Sequence, residues 1–67
     1  MGNLFDEEGE PASEWLRRER LRAGLHQHQL AARLDINQGR ISEWETGFKP
    51  LPVYMKERIS YALGITN

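Results

Sequence analysis

Residues 27–45 read QHQLAARLDINQGRISEWE, a stretch whose apolar residues recur at helical spacing on both sides of one break. Its first half spaces apolar residues three and four apart, which predicts a helix from Gln27 with one buried stripe. The stripe consists of Leu30, Ala31 and Leu34. The rhythm breaks once, at residues 35–37, where three residues leave room only for a tight turn. Ile36 is apolar and is expected to tuck inward.

The helical rhythm then resumes in the second half of the stretch. Asn37 is a good N-cap, and Gly47 a good stop signal, for a helix over Gln38–Thr46. At about 100° per residue, Ile41 and Trp44 point toward the core and the polar residues point away. The sequence therefore predicts two short helices in close succession, the second with a polar outer face.

Helices are also predicted on either side of this pair. Ser13 is a candidate cap for a first helix that runs toward Ala23 and is ended by Gly24. After two prolines, a last helix has a strong amphipathic stripe and is closed by Gly64, with Ile65 placed for the apolar contact of a glycine cap. The stripe consists of Met55, Ile59, Ala62 and Leu63. The predicted fold is a compact all-α domain.

One basic residue interrupts the apolar face of the first helix. Leu16, Arg20 and Ala23 share that face at helical spacing. A lone arginine on a buried face requires an anion. Glu45 lies at the edge of the buried stripe of the third helix, so we expect it to pair with Arg20.

Length and composition restrict the class of protein. A chain of 67 residues makes one small domain with a thin core. The absence of cysteine excludes disulfides and thiolate metal sites. No apolar run reaches the length of a membrane span, and the N-terminus lacks the pattern of a signal peptide, so a cytoplasmic location is expected. Paired carboxylates at a plausible site, a nucleophile with its base and a glycine-rich phosphate loop are all missing, so no enzyme is predicted.

Charge is distributed unevenly along the chain. The first 14 residues contain five acidic and no basic residues, whereas residues 15–67 contain nine basic and five acidic ones. Residues 1–11 are expected to form an acidic, flexible lead, and residues 12–67 the folded domain. A basic body can approach a polyanion such as DNA. An ordinary soluble surface with an acidic end explains the same charges.

Two helices joined by a three-residue turn form a helix-turn-helix, whose second helix can lie in the major groove of DNA. Over residues 20–65 the chain resembles the lambda-repressor-like, Xre-type regulators of phages, plasmids and bacteria. The resemblance rests on matches in order and spacing at Arg20, Gly24-Leu25, Gln27, Leu30-Ala31, Leu34, Ile36, Gln38, Ile41-Ser42, Glu45-Thr46-Gly47 and Ala62-Leu63-Gly64-Ile65. It implies four or five helices, homodimers on near-palindromic operators, repression, and action at the nucleoid of a bacterial or phage-infected cell.

The resemblance also implies roles for single residues. Gln27 matches the family glutamine that holds a phosphate and supports the first residue of the second helix, here Gln38. Arg20 and Glu45 match the family's internal ion pair. The DNA-binding residues expected on this basis are His26, Gln27, Asn37, Gln38, Gly39, Arg40, Ser42, Glu43, Thr46 and Lys49. No cofactor is implied.

Three positions depart from the family pattern. His26 stands where Ser or Thr is common; it is a poorer cap that can contact a phosphate when protonated. Asp35 replaces the turn glycine, and Asp accepts positive φ better than most residues. Gly39 costs about 1 kcal/mol in the middle of a helix and has no side chain for a base. The backbone therefore comes close to the groove at Gly39, or that position does not discriminate.

Several of these residues allow more than one interpretation. Gln38 suits adenine but is also an ordinary solvated glutamine. Arg40 can reach guanine or phosphate, or pair with Glu43; Glu43 can accept from cytosine or act by excluding bases. His26 and His28 lack a third ligand, so no metal site is predicted. The alternative function is a protein-interaction module, such as an antitoxin or adaptor, that binds a partner through the acidic N-terminal segment or through the tyrosine face of the last helix, Tyr54 and Tyr61.

Overall fold

The computed structural model describes residues 10–65. Within them the chain forms four helices and no strand: α1 Ala12–Arg22, α2 Gln27–Leu34, α3 Gln38–Thr46 and α4 Val53–Ala62. The predicted all-α, four-helix class is confirmed. Most of the acidic lead, through residue 9, lies outside the described residues. Of the helices described, none is both long and apolar enough to cross a membrane.

The start of α1 differs from the prediction. The helix begins at Ala12, so Ser13 lies within the first turn and does not cap it. Pro11 precedes the helix in an extended conformation, and its carbonyl accepts a hydrogen bond from the Trp15 N–H at 3.0 Å. Proline is well tolerated there because the first N–H groups of a helix have no partner within it. Ala23, predicted on the buried face, lies just past the last helical residue and is exposed.

Asp35 ends α2 and starts the turn to α3. Its φ of 58° makes it the one non-glycine residue with positive φ in the part of the chain that the structure describes. The Asp35 N–H donates to the Ala32 carbonyl at 3.2 Å, and the Ile36 N–H donates to the Ala31 carbonyl at 3.0 Å. These two bonds close the helix and turn Ile36 onto the core, against which it is partly buried. The short turn thereby fixes the position of α3 against α2.

All four helices contribute side chains to the core. Each contributes one side chain with 0% exposure: Leu16, Leu30, Ile41 and Ile59. Burying each such side chain is worth about 1.5–3 kcal/mol. Helix α3 packs against both α1 and α2, and α4 packs mainly against α2. The side of α3 opposite its polar face is therefore held in place by both α1 and α2.

The side chain of Asn37 caps the start of α3. Asn37 Oδ1 accepts a hydrogen bond from the Gly39 N–H at 2.7 Å. Asn37→Ala removes this acceptor, so we expect the free energy of unfolding to fall by about 1 kcal/mol in urea denaturation. Asn37→Asp keeps a capping oxygen and is the matched control. Equal unfolding midpoints for the alanine variant and the wild type would contradict this role.

Candidate functional site

The outer side of α3 is polar and accessible. Ile41 and Trp44 are 0% and 5% exposed and anchor the helix to the core. The residues predicted to contact a partner from this helix lie on its outer side and its edges: Gln38, Gly39 and Arg40 are exposed, and Ser42 and Glu43 are half-buried. Within residues 10–65 no ion pair joins Arg40 to Glu43, so the guanidinium of Arg40 is available to an external group.

Gly39 is the second residue of α3 and not a mid-helix residue. Its N–H is the donor to the Asn37 cap. A Cβ added at this position would lie 3.1 Å from Asn37 Oδ1, so the capping oxygen would have to shift by a few tenths of an ångström. Glycine at this position therefore leaves room for the cap, a reason that the sequence pattern did not indicate.

Arg20 and Glu45 form a paired contact between α1 and α3. Arg20 Nε donates to Glu45 Oε2 at 2.6 Å, and its Nη2 donates to Oε1 at 3.0 Å. A third guanidinium nitrogen donates to the Leu25 carbonyl at 2.9 Å. The two side chains are only 9% and 4% exposed. This two-point geometry is the strong form of an arginine–carboxylate pair and aligns α3 with α1.

Two glutamines extend this pair to the surface. Gln27 Nε2 donates to Glu45 Oε1 at 3.1 Å, and Gln38 Nε2 donates to Gln27 Oε1 at 3.4 Å. The first residue of α2 and the first residue of α3 are thus joined through their side chains. Gln38, which is exposed, stands at the outer end of a chain of polar groups that begins at a buried carboxylate.

The two histidines near the start of α2 stack on each other. The rings of His26 and His28 are parallel within 4°, with centroids 5.7 Å apart. Gln29 Oε1 accepts a hydrogen bond from the His26 N–H at 2.7 Å, which satisfies one group at the helix start. Among residues 10–65 no three His, Cys, Asp or Glu side chains gather as a metal site would require. His26 is exposed and precedes Gln27, whose side chain contacts Gln38 at the start of α3.

The far end of α3 is closed by its own polar groups. Thr46 Oγ1 donates to the Glu43 carbonyl at 3.3 Å and accepts from the Phe48 N–H at 3.4 Å. The Lys49 N–H also donates to the Glu43 carbonyl, at 3.2 Å. The side chain of Lys49 is exposed just past the helix. The hydroxyl of Thr46 therefore makes hydrogen bonds at the C-terminal end of α3, while the amine of Lys49 faces solvent.

Sequence reasoning missed the role of Glu19. This carboxylate on α1 is 8% exposed and contacts Arg18 at 3.0 Å and Arg22 at 3.5 Å. Arg18 also pairs with Glu10, and its hydrogen bonds to Glu10 first and to Glu19 second raise its pKa above the ordinary value. Carboxylates thus offset part of the positive charge of α1. Helical spacing marks Glu19, because it follows Trp15 by four residues and Leu16 by three and so lies on their buried face.

A family model described as helix-turn-helix matches residues 16–66, well over half of the chain. The match begins within α1, continues past the end of α4 and includes the pair of helices that carries the polar site. No curated protein and no solved structure gives a significant match.

Proposed function

Because this chain belongs to the helix-turn-helix family, of the lambda-repressor-like, Xre type, we propose that it is a repressor that binds a palindromic operator as a homodimer. The family is one of DNA-binding regulators, and we propose no catalytic activity, cofactor or metal for this member. The observation that carries the proposal is the exposed amide of Gln38, held by Gln27 at the start of a helix whose other side is buried.

Helix α3 is the proposed recognition helix. Its nine residues make a rod about 13 Å long, and the major groove is about 12 Å wide. In this placement Gln38 lies nearest to the base edges and can make two hydrogen bonds to adenine, at N6 and N7. Arg40 is placed for guanine or a phosphate. Ser42 and Glu43, one turn further on, face a neighbouring base pair, where Glu43 accepts from cytosine or excludes other bases.

A second set of groups is proposed to hold the sugar–phosphate backbone. Gln27 keeps one amide hydrogen for a phosphate after donating the other to Glu45. His26 beside it adds positive charge when protonated, and Lys49 supplies an amine at the opposite end of α3. Asn37 and Thr46, whose oxygens serve the helix ends, complete this set at the flanks. Such contacts set affinity and orientation, not sequence preference.

The proposed dimer surface lies on α4. Tyr54 and Tyr61 are 62% and 89% exposed and line a groove of about 520 Å³ together with Arg33, Glu57 and Arg58. Tyrosine is enriched in interfaces, and a face with both charge signs can match its own copy across a two-fold axis. Ile65, just past the end of α4, is partly buried against the core. Two copies of α3 about 34 Å apart would fit successive major grooves.

Tyr61→Asp is the test of this surface. The substitution removes an aromatic ring that would be buried between the two copies, so we expect self-association to weaken about tenfold or more. Sedimentation equilibrium measures the change. Leu21→Asp, at a residue 55% exposed on α1, is the matched control and should dimerise as the wild type does. Purely monomeric wild-type protein, both free and on DNA, would exclude the dimer.

Selection of random-sequence DNA on the purified protein tests the function. A regulator of the proposed kind enriches a palindrome, and its affinity falls steeply with salt because each neutralised phosphate releases counterions. An adaptor with the same fold enriches no motif, shows a flat salt dependence and co-purifies with a protein.

We propose that repression follows from occupancy of an operator, in the compartment that holds the bacterial genome. Residues 12–67 are the proposed binding unit. The acidic lead before them should oppose nonspecific binding to DNA at low salt, because its charge has the sign of the phosphates.

A further inference from the structure

The buried ion pair of Arg20 and Glu45 makes a further contact, with the side chain of Gln27. Glu45 Oε1 accepts hydrogen bonds both from Arg20 and from Gln27 Nε2, the latter at 3.1 Å. A carboxylate can only accept hydrogen bonds. The side-chain amide of Gln27 must therefore turn its NH₂ group inward to Glu45 and its carbonyl oxygen outward.

The outward carbonyl oxygen of Gln27 determines the orientation of the side-chain amide of Gln38. Gln27 Oε1 accepts from Gln38 Nε2 at 3.4 Å, so the NH₂ group of Gln38 lies on the side of Gln27. Gln38 then presents its second amide hydrogen and its carbonyl oxygen to solvent in a fixed order. Reversing the amide of Gln27 would place a donor against a donor and would favour the opposite order at Gln38.

The orientation of the Gln38 amide matters because each base edge also presents its hydrogen-bond donors and acceptors in a fixed arrangement. In the major groove adenine shows an acceptor at N7 beside a donor at N6, and Gln38 matches it only with its hydrogen and oxygen in the corresponding places. We propose that Glu45 is a positioning residue, which fixes the adenine preference of Gln38 through the amide of Gln27. This inference rests on the proposed function, since it concerns the base chosen by α3.

A positioning role differs from a purely structural one in what it changes. If Glu45 only held α1 to α3, its loss would weaken binding to all DNA sequences alike. If it orients the two amides, its loss frees Gln38 to turn over and accept other bases, so discrimination falls at one position of each half-site while the other positions keep their preference.

The experiment compares selected DNA motifs for the wild type, Glu45→Gln, Gln27→Met and the double variant. For the wild type we expect adenine to be favoured about tenfold at one position of each half-site, the range of one two-bond contact. Each single variant should reduce this to about threefold or less. The double variant should show no further loss, because Glu45 acts through Gln27.

Ile59→Val, a core substitution on α4, shows whether reduced stability by itself alters the motif, and it should select the wild-type motif. Gln27→Met leaves the ion pair intact and keeps the inference open to refutation if Glu45→Gln fails to fold, because Glu45 can act on Gln38 only through Gln27. The inference is overturned if either folded variant keeps the full adenine preference, or if Gln27→Met does so when Glu45→Gln is unfolded. A wild-type protein that selects no motif overturns the proposed function itself, and the inference with it.

Discussion

Glu45→Ala is expected to lower the free energy of unfolding by about 3 kcal/mol or more. The substitution strands the guanidinium of Arg20, whose side chain is only 9% exposed, with the Leu25 carbonyl as its remaining partner. An uncompensated buried charge is costly because few waters replace the lost carboxylate. For a domain of this size the loss corresponds to a melting temperature lower by roughly 12–24 °C. Thermal melting followed by the fluorescence of the two buried tryptophans measures it.

Two further variants separate the ion pair from general damage to α3. Glu43→Ala removes a half-buried carboxylate of the same helix that forms no ion pair among residues 10–65 and should change stability by about 0.5 kcal/mol or less. Replacing Arg20 and Glu45 together by methionine removes both charges and should recover much of the loss. Wild-type melting of Glu45→Ala would mean that water reaches Arg20 in solution.

Gln38→Ala is expected to cost about 1–3 kcal/mol in binding to the preferred operator and to relax the preference at one position of each half-site. The reason is that the amide of Gln38 is the exposed group at the start of α3 that can make two bonds to one base. Lys49→Ala should instead weaken binding to all sequences alike and reduce the salt slope by about one unit per subunit, because a lone amine beyond the helix meets phosphate.

Competition binding at several salt concentrations, with the selected operator and a scrambled duplex, distinguishes the two variants. The expected results differ in kind: one variant changes which sequence is bound, the other how tightly any sequence is bound. If Gln38→Ala left the selected motif intact and Lys49→Ala altered it, the placement of α3 in the groove would be wrong. The recognition surface would then have to be sought around Arg40 and Glu43.

The pair of helices at the centre of the chain could be predicted closely because local signals agree there. Periodicity, the cap at Asn37 and the stop at Gly47 all point to Gln38–Thr46, which are the observed bounds of α3. At α1 the local signals conflict. Ser13 has the chemistry of a cap, but Pro11 already provides an extended backbone and the carbonyl that starts the helix. Residue preferences alone do not show whether Ser13 or Pro11 precedes the first residue of the helix.

The polar contacts of the candidate site could be predicted only in part. A lone Arg20 on an apolar face calls for an anion, and that argument leads to Glu45. The hydrogen bond from Gln27 to Glu45 depends on how α2 and α3 cross. The angles and distances between packed helices are not encoded in any short stretch, so such contacts emerge only once the helices are assembled.

The shared core also bears on how the domain opens. Since Leu16, Leu30, Ile41 and Ile59 come from four different helices and have 0% exposure, detaching any one helix uncovers a residue of that core. Partial unfolding should therefore be rare, and the slowest-exchanging amide hydrogens of all four helices should approach one common opening free energy in native-state hydrogen exchange. Opening of α4 would then accompany opening of the whole domain, which ties DNA binding to the integrity of the chain from α1 to α4.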